Sequence, residues 1–301
     1  HSCVVGAFAY VQTYELFHRK IDPGTVWVRN HNFEFKYTFD KQILDDFVGV
    51  NQTYQPRGKI YDFVSEKEGR FERLFEVMHV DPIEAPESSA VSRYAVVDGK
   101  VSIGENVLVA QRAYLDNAVM KDGSNAQENS YIINSTLEEF VITAHGGKII
   151  NSTVGKGCFV GFNSFLNGKE NARITIGDGC VVMPHTIIDT KSPVQIPANH
   201  LIWGFIQTQA DVENNTIALD DLAEVRDGVQ IGKMKFKGKG DVFISAFKNR
   251  LEVILLANGA HFSEKEKRGH AQDDQNISYN IIQPYRTGEN AGIYPAIRIK
   301  P

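Results

Sequence analysis

Between Val101 and Asp189 the chain repeats a six-residue unit, and no other feature restricts its fold as tightly. An aliphatic residue returns at every sixth position at Ile103, Val109 and Leu115, again at Val154, Val160 and Leu166, and again at Ile176, Val182 and Ile188. A small residue often follows at once, as in Ile103-Gly104, Val109-Ala110, Val154-Gly155, Val160-Gly161 and Ile176-Gly177. A longer repeat overlies the short one: Ile132-Ile133-Asn134-Ser135-Thr136 returns seventeen residues later as Ile149-Ile150-Asn151-Ser152-Thr153. Three hexapeptides make about eighteen residues, one triangular coil of a β-helix. Coils stacked on one another bury the aliphatic residues in a central shaft. Hairpin-connected strands do not produce a period of six. The expected class is therefore mainly β, a parallel β-helix over residues 81–209.

The flanks lack the period. Residues 1–80 are rich in aromatics, and the alternations Trp27-Val28-Arg29 and Phe33-Glu34-Phe35-Lys36-Tyr37 suggest strands. Phe71, Leu74, Phe75 and Met78 follow helical spacing. This region reads as an N-terminal elaboration packed on the β-helix, closed by Asp81-Pro82 and Ala85-Pro86. Residues 210–301 read as a C-terminal helix and extension. Ala210–Val225 is acidic and begins a helix or loop. Asp241–Ala257 is an amphipathic helix stopped by Asn258-Gly259, and the tail from Asp273 reads as loop and short strand. Lys233, Lys235, Lys237 and Lys239 alternate with apolar or Gly residues, as on a solvated strand face.

Composition narrows the partners. A formal charge of −5 gives no reason to expect nucleic acid. The longest apolar runs, Val4–Val11 and Val253–Ala257, fall far short of the roughly eighteen residues a spanning helix needs. Cys158 and Cys180 both precede the aliphatic residue of a coil and read as small packing residues, while Cys3 is uninformative. The start His1-Ser2-Cys3 fits an exported or organellar protein after removal of a leader, or a true start lying outside this sequence; the compartment stays unknown. Five Asn-x-Ser/Thr triplets, at Asn51, Asn134, Asn151, Asn214 and Asn276, decide little.

The stretch Gly99–Ala210 resembles the γ-class carbonic anhydrases. The resemblance rests on Gly99-Lys-Val-Ser-Ile-Gly-Glu-Asn-Val-Leu-Val-Ala110, Ser124-Asn-Ala-Gln-Glu-Asn129, Thr143-Ala-His145, Gly157-Cys-Phe-Val-Gly-Phe-Asn-Ser-Phe165, Gly179-Cys-Val-Val-Met183 and Gln207-Thr-Gln-Ala-Asp211. It implies a left-handed β-helix, trimers of like or related chains, and sites at the subunit seams. In that family the Asn-x-Gln-Asp motif precedes the first zinc ligand; here Asn125 and Gln127 match and Glu128 replaces Asp. The first ligand position holds Ile133, the second holds His145, and the third holds Ile150, or Ile149 with a one-residue slip. The family's Arg and acid positions hold Asp116, Ala118 and Val119.

A catalytic zinc needs three protein ligands and an open water position, and an aliphatic side chain has no lone pair to donate. The expectation is a metal-free relative with no cofactor, zinc being the alternative. It would serve as a non-catalytic trimer, a structural or assembly subunit, with Asn125, Gln127 and His145 vestigial and Ile133 and Ile150 apolar at the seam. Two enzyme readings stand beside it. One is a carbonic anhydrase with a relocated metal site. The other is a hexapeptide acyltransferase using His145 as base, with Gly146-Gly147 giving a ligand backbone room. The bland reading of His145 is an imidazole satisfied by backbone carbonyls. His185 reads as a surface or seam residue. The remaining internal histidines, His18, His31, His79, His200, His261 and His270, lack metal-type spacing, and no phosphate-cradling Gly-rich loop is present.

Overall fold

The computed structural model describes residues 4–6, 8–13, 19–29, 33–43, 85–86, 88–91, 95–110, 112–225, 230–231, 234–246, 260–263 and 268–271. Its centre is a left-handed parallel β-solenoid of hexapeptide repeats. Three parallel sheets form the sides of a prism. The first side stacks Ala90–Val91, Leu108–Val109, Asn125–Ala126, Ile142–Thr143, Phe159–Val160, Val181–Val182 and His200–Ile202. The second runs from Val96–Asp98 through Tyr114–Asp116, Tyr131–Ile133, Lys148–Ile150, Phe165–Asn167 and Ile187–Asp189 to Phe205–Ile206. The third runs from Ser102–Ile103 through Val119–Met120, Thr136–Leu137, Ser152–Val154 and Ile174–Ile176 to Val194–Ile196.

All nine aliphatic residues singled out by the period, from Ile103 to Ile188, lie in one buried cluster that fills the shaft. The register shows how the intervening stretch fits. Steps of six link Ile103, Val109 and Leu115, but Leu115 to Met120, Ile132 to Leu137 and Ile149 to Val154 are steps of five. A coil here is thus seventeen residues, with Tyr114 opposite Tyr131 and Tyr131 opposite Lys148. The short corner holds Asn117, Asn134 and Asn151, with φ of 48°, 47° and 46°. Asn tolerates this left-handed backbone better than other non-Gly residues, so it turns the chain in one residue fewer. After Asn167 a small loop with a Lys169–Ala172 bridge widens the register offset to twenty-two, Phe165 pairing with Ile187. Cys158 and Cys180 stack in the shaft wall, where the Cys180 amide donates to Cys158 Sγ at 3.3 Å.

The C-terminal end is capped. Helix α1 (Gln209–Asn215) adds Val212 to the shaft cluster. The Thr208 and Gln207 amides and the Thr208 hydroxyl all donate to Asp211 Oδ2, at 2.8, 2.9 and 3.0 Å. Burial alone would raise the Asp211 pKa; these bonds outweigh it and hold the carboxyl below its ordinary value. Thr216–Ala218 then pairs antiparallel with His200–Ile202, covering the open edge of the first side, and α2 (Leu219–Glu224) follows.

A second sheet lies outside the prism. Its order is Tyr10–Gln12, Thr25–Arg29, Phe33–Thr38, Met234–Gly238, Gln230–Ile231. Val26, Val28, Phe35, Tyr37, Met234 and Phe236 form a second buried cluster with outward residues of the first two sides, among them Ile142, Phe159, Val181, Leu201, Tyr114 and Phe165. The Tyr37 hydroxyl donates to the Pro184 carbonyl at 3.1 Å, and burial raises its pKa well above the ordinary phenol value. Of the alternating lysines, Lys235 and Lys237 fall on the strand Met234–Gly238, whose Met234 and Phe236 are buried; Lys239 follows it and Lys233 lies outside the described residues. The expected amphipathic helix begins at 240 and is described to 246, where Phe243 stacks on Phe35. Phe71, Leu74, Phe75, Met78 and the tail from Asp273 lie outside the described residues. Among the described residues no helix is long and apolar enough to cross a membrane.

Candidate functional site

The corner between the first and second sides turns through a left-handed residue: Arg112, Asn129, Gly146, Asn163, His185 and Gly204 in successive coils. The residue before it points outward, and a seventeen-residue coil puts Glu128 directly below His145. The contact follows: His145 Nδ1 lies 2.8 Å from Glu128 Oε2. The Glu128 side chain is 7% exposed and that of His145 40%. One coil further on, Phe162 stacks on the imidazole, with ring centroids 5.6 Å apart and 22° between planes. Tyr10 of the outer sheet stacks in turn on Phe162 at 5.9 Å. The imidazole thus lies between a buried carboxylate close to one nitrogen and an aromatic face on its plane, although the Nδ1–Oε2 contact lacks hydrogen-bond geometry. Gly146 follows His145 at the left-handed corner, where other coils carry Arg, Asn or His. Its φ is +70°, and a Cβ there would displace the end of the Asn163 side chain.

The other sequence-derived positions fall in two places. Asn125 and Gln127 lie on the same coil as Glu128 and are buried, Asn125 at 2% exposure. Asn125 sits between Leu108 and Ile142, and among the described residues neither polar atom of its side chain has a hydrogen-bond partner. Ile133 and Ile150 are not at this corner. They end successive strands of the second side, paired with each other in register, with Asp116 next to Ile133 and Asn167 next to Ile150. Ile149 faces the shaft, so the outward position is Ile150. Both outward isoleucines are already buried within the chain, in the cluster shared with the outer sheet. Asp116 has its pKa raised by burial and by Asp98; Ala118 is inside the shaft and Val119 is exposed.

Zinc does not fit these residues. Ile133 and Ile150 offer no donor, and His145 turns Nδ1 to Glu128. Among the described residues no three His, Cys, Asp or Glu side chains come together as a metal set.

A cavity of about 430 Å³ opens beside Gly146, between the corner and the N-terminal segment Phe8–Val11. His185 is part of its lining. Its Nδ1 lies 3.1 Å from the Phe8 carbonyl and its Nε2 3.4 Å from Asn163 Nδ2. One tautomer satisfies both contacts: Nδ1–H donates to Phe8 and Nε2 accepts from the amide. Burial lowers the His185 pKa against the opposing effect of the Phe8 carbonyl, which favours this neutral form. Lys148 lies on the wall, with Nζ 5.4 Å from the Tyr131 ring centroid and 5.9 Å from that of Phe165; burial lowers its pKa.

Sequence reasoning missed the Glu128 partnership and the cavity. The first had a signal, the separation of seventeen that also relates the two Ile-Ile-Asn-Ser-Thr copies. The second had none, because its far wall comes from a segment more than a hundred residues away.

The hexapeptide solenoid agrees with comparisons to known proteins. A family described as "Hexapeptide repeat including loop" matches residues 1–52, which include the first strands of the outer sheet. The chain is similar to a solved structure from Desulfovibrio desulfuricans G20, described provisionally as an acetyltransferase. Identity is 48%, coverage is 99% of this chain and 63% of that one, and the TM-score is 0.74. The chain thus spans less than two thirds of that protein's length. The acetyltransferase domain of PglB from Neisseria gonorrhoeae FA1090 aligns at 19% identity over 41% of this chain and 55% of its own; its TM-score of 0.32 carries no argument. No curated protein matches.

Proposed function

We propose that the chain is an acyl-transfer unit in which His145 acts as general base. The observation that carries this reading is the contact between His145 Nδ1 and the buried Glu128 carboxylate, with the imidazole still partly exposed. A carboxylate beside Nδ1 favours the tautomer that leaves a lone pair on Nε2, the nitrogen that would take the proton. An acceptor hydroxyl or amine then attacks the carbonyl of an acyl thioester. The new C–O or C–N bond forms, the C–S bond breaks, and the proton taken by Nε2 passes to the departing thiolate. The similarity to the Desulfovibrio protein supports this class of reaction.

The γ-class resemblance accounts for Asn125, Gln127 and the Gln-Ala-Asp turn into α1, but its zinc chemistry finds no ligand set in Ile133, His145 and Ile150. A structural subunit without turnover is the competing reading. The test is thiol release from acetyl-coenzyme A across a panel of hydroxylated and amino acceptors. His145→Asn is expected to lower the rate by roughly 10²–10⁴-fold, the usual contribution of a positioned base, with the fold intact. Glu128→Gln is expected to lower kcat with little change in KM. No turnover by the wild-type chain with any acceptor, or equal turnover by His145→Asn, would refute the assignment.

A further inference from the structure

A base works only when its open nitrogen points at the proton it takes. For an imidazole that direction depends on the last side-chain torsion, which is broad for His. The Glu128 carboxylate stands beside Nδ1 without hydrogen-bond geometry, so its nearness alone does not set the plane of the ring. A second ring stacked on the imidazole does bias that plane, because offset stacking is a preferred arrangement of such pairs. Phe162 is so placed, 5.6 Å from the imidazole with 22° between planes. The coil register puts it there: Glu128, His145, Phe162 and Pro184 occupy one column on successive coils.

Phe162 is itself held from the outer sheet. Tyr10 stacks on it at 5.9 Å with 20° between planes. Tyr10 opens the strand Tyr10–Gln12 and lies opposite the buried Val26. Both rings pack against the second buried cluster. The same sheet is tied to the next member of the column, where the Tyr37 hydroxyl donates to the Pro184 carbonyl. The outer sheet therefore grips this corner at two successive coils, and Tyr10 has a fixed place over it.

We propose that Phe162, backed by Tyr10, is a positioning residue that sets the plane of the His145 imidazole, which makes the N-terminal strand of the outer sheet part of the active site. Its share in catalysis rests on the acyl-transfer reading; its hold on the ring does not.

The experiment follows the ring and the rate in the full chain. Nitrogen resonances of histidine-labelled protein report the tautomer of His145, assigned by their loss in His145→Asn. The wild type is expected to hold mainly the Nδ1–H tautomer at a pH where the imidazole is neutral. Phe162→Leu keeps an apolar side chain but removes the flat face, and should mix the tautomers. With acetyl-coenzyme A as donor, it should lower kcat about three- to tenfold, the size of one aromatic pair. The KM for acetyl-coenzyme A should hold, and Phe162→Tyr should restore both the rate and the tautomer. If Phe162→Leu fails to fold, Tyr10→Leu leaves Phe162 in place without its backing and should shift both readings the same way. An unchanged tautomer balance in folded Phe162→Leu, or a lost rate that Phe162→Tyr does not restore, overturns the proposal. No turnover by the wild type, with the tautomers still mixing in Phe162→Leu, would sink the acyl-transfer reading alone. Turnover with an unchanged kcat in Phe162→Leu would sink this inference alone.

Discussion

Thr143 interrupts the inner column of the first side, which otherwise runs Val109, Ala126, Val160, Val182 and Ile202. Its side chain is fully buried, and among the described residues its hydroxyl has no hydrogen-bond partner. A buried hydroxyl without a partner costs about 1–3 kcal/mol. Valine has nearly the same shape, removes that penalty and adds a methyl to an apolar shaft. Thr143→Val should therefore stabilise the protein by about 1–2 kcal/mol, allowing for imperfect packing of the new methyl. In domains of 150–250 residues each kcal/mol moves Tm by about 2–4 °C. A chain of 301 residues belongs at the lower end of that range, so the expected rise is about 2–4 °C. Calorimetry and urea unfolding should agree on the sign. Thr143→Ala removes the same hydroxyl but leaves a void, and should fall below Thr143→Val by about the cost of the lost methyl groups. A lower Tm for Thr143→Val would refute the reasoning, because it would mean that the hydroxyl is satisfied in the shaft by a buried water. An unchanged Tm together with a harmless Thr143→Ala would show that the side chain does not face the shaft.

Leu166→Ala, at a fully buried shaft position, should cost about 2–5 kcal/mol by leaving a cavity among Ile149, Ile188 and their neighbours, measured by the same unfolding curves. His185 should make stability fall in acid. Its folded pKa is lowered below the ordinary 6.5, so below that pH the unfolded chain binds the proton first. The His185 contribution is intact above about pH 6.5, is lost as pH falls toward the folded pKa, and changes no further below it. His185→Asn, a residue already found at the equivalent corner one coil earlier, should lack this component when unfolding free energies at neutral and mildly acidic pH are compared.

The shaft was legible because burial on all three sides forces an aliphatic residue at a fixed spacing, and Ile103, Val160 and Ile188 show it without help. Between Leu115 and Val154 the same shaft is hard to read. There the Asn corners shorten every third step to five, and two inner positions are Ala126 and Thr143, which hydrophobicity does not mark. The strands at Trp27–Arg29 and Phe33–Tyr37 were legible from alternation. Their place on the prism was not, because Phe33–Thr38 pairs with Met234–Gly238, and Lys36 meets Lys235 across some two hundred residues of chain. Local pattern carries no information on such a pairing. The same holds for the covering of Ile133 and Ile150, which sequence reasoning assigned to a subunit seam and which the outer sheet's cluster buries within one chain.

The candidate site follows from the coil length. In a solenoid, two residues meet when their separation equals one coil and both occupy the same corner. Seventeen residues separate Glu128 from His145, and each stands immediately before a left-handed corner residue, Asn129 and Gly146. This also separates the acid–base reading from the metal reading. Glu128 and His145 share one column at one corner, whereas Ile133 and Ile150 share another at the end of the adjacent strands. Restoring imidazoles at 133 and 150 would build their pair along the second side, away from the Glu128 contact that already commits His145 Nδ1.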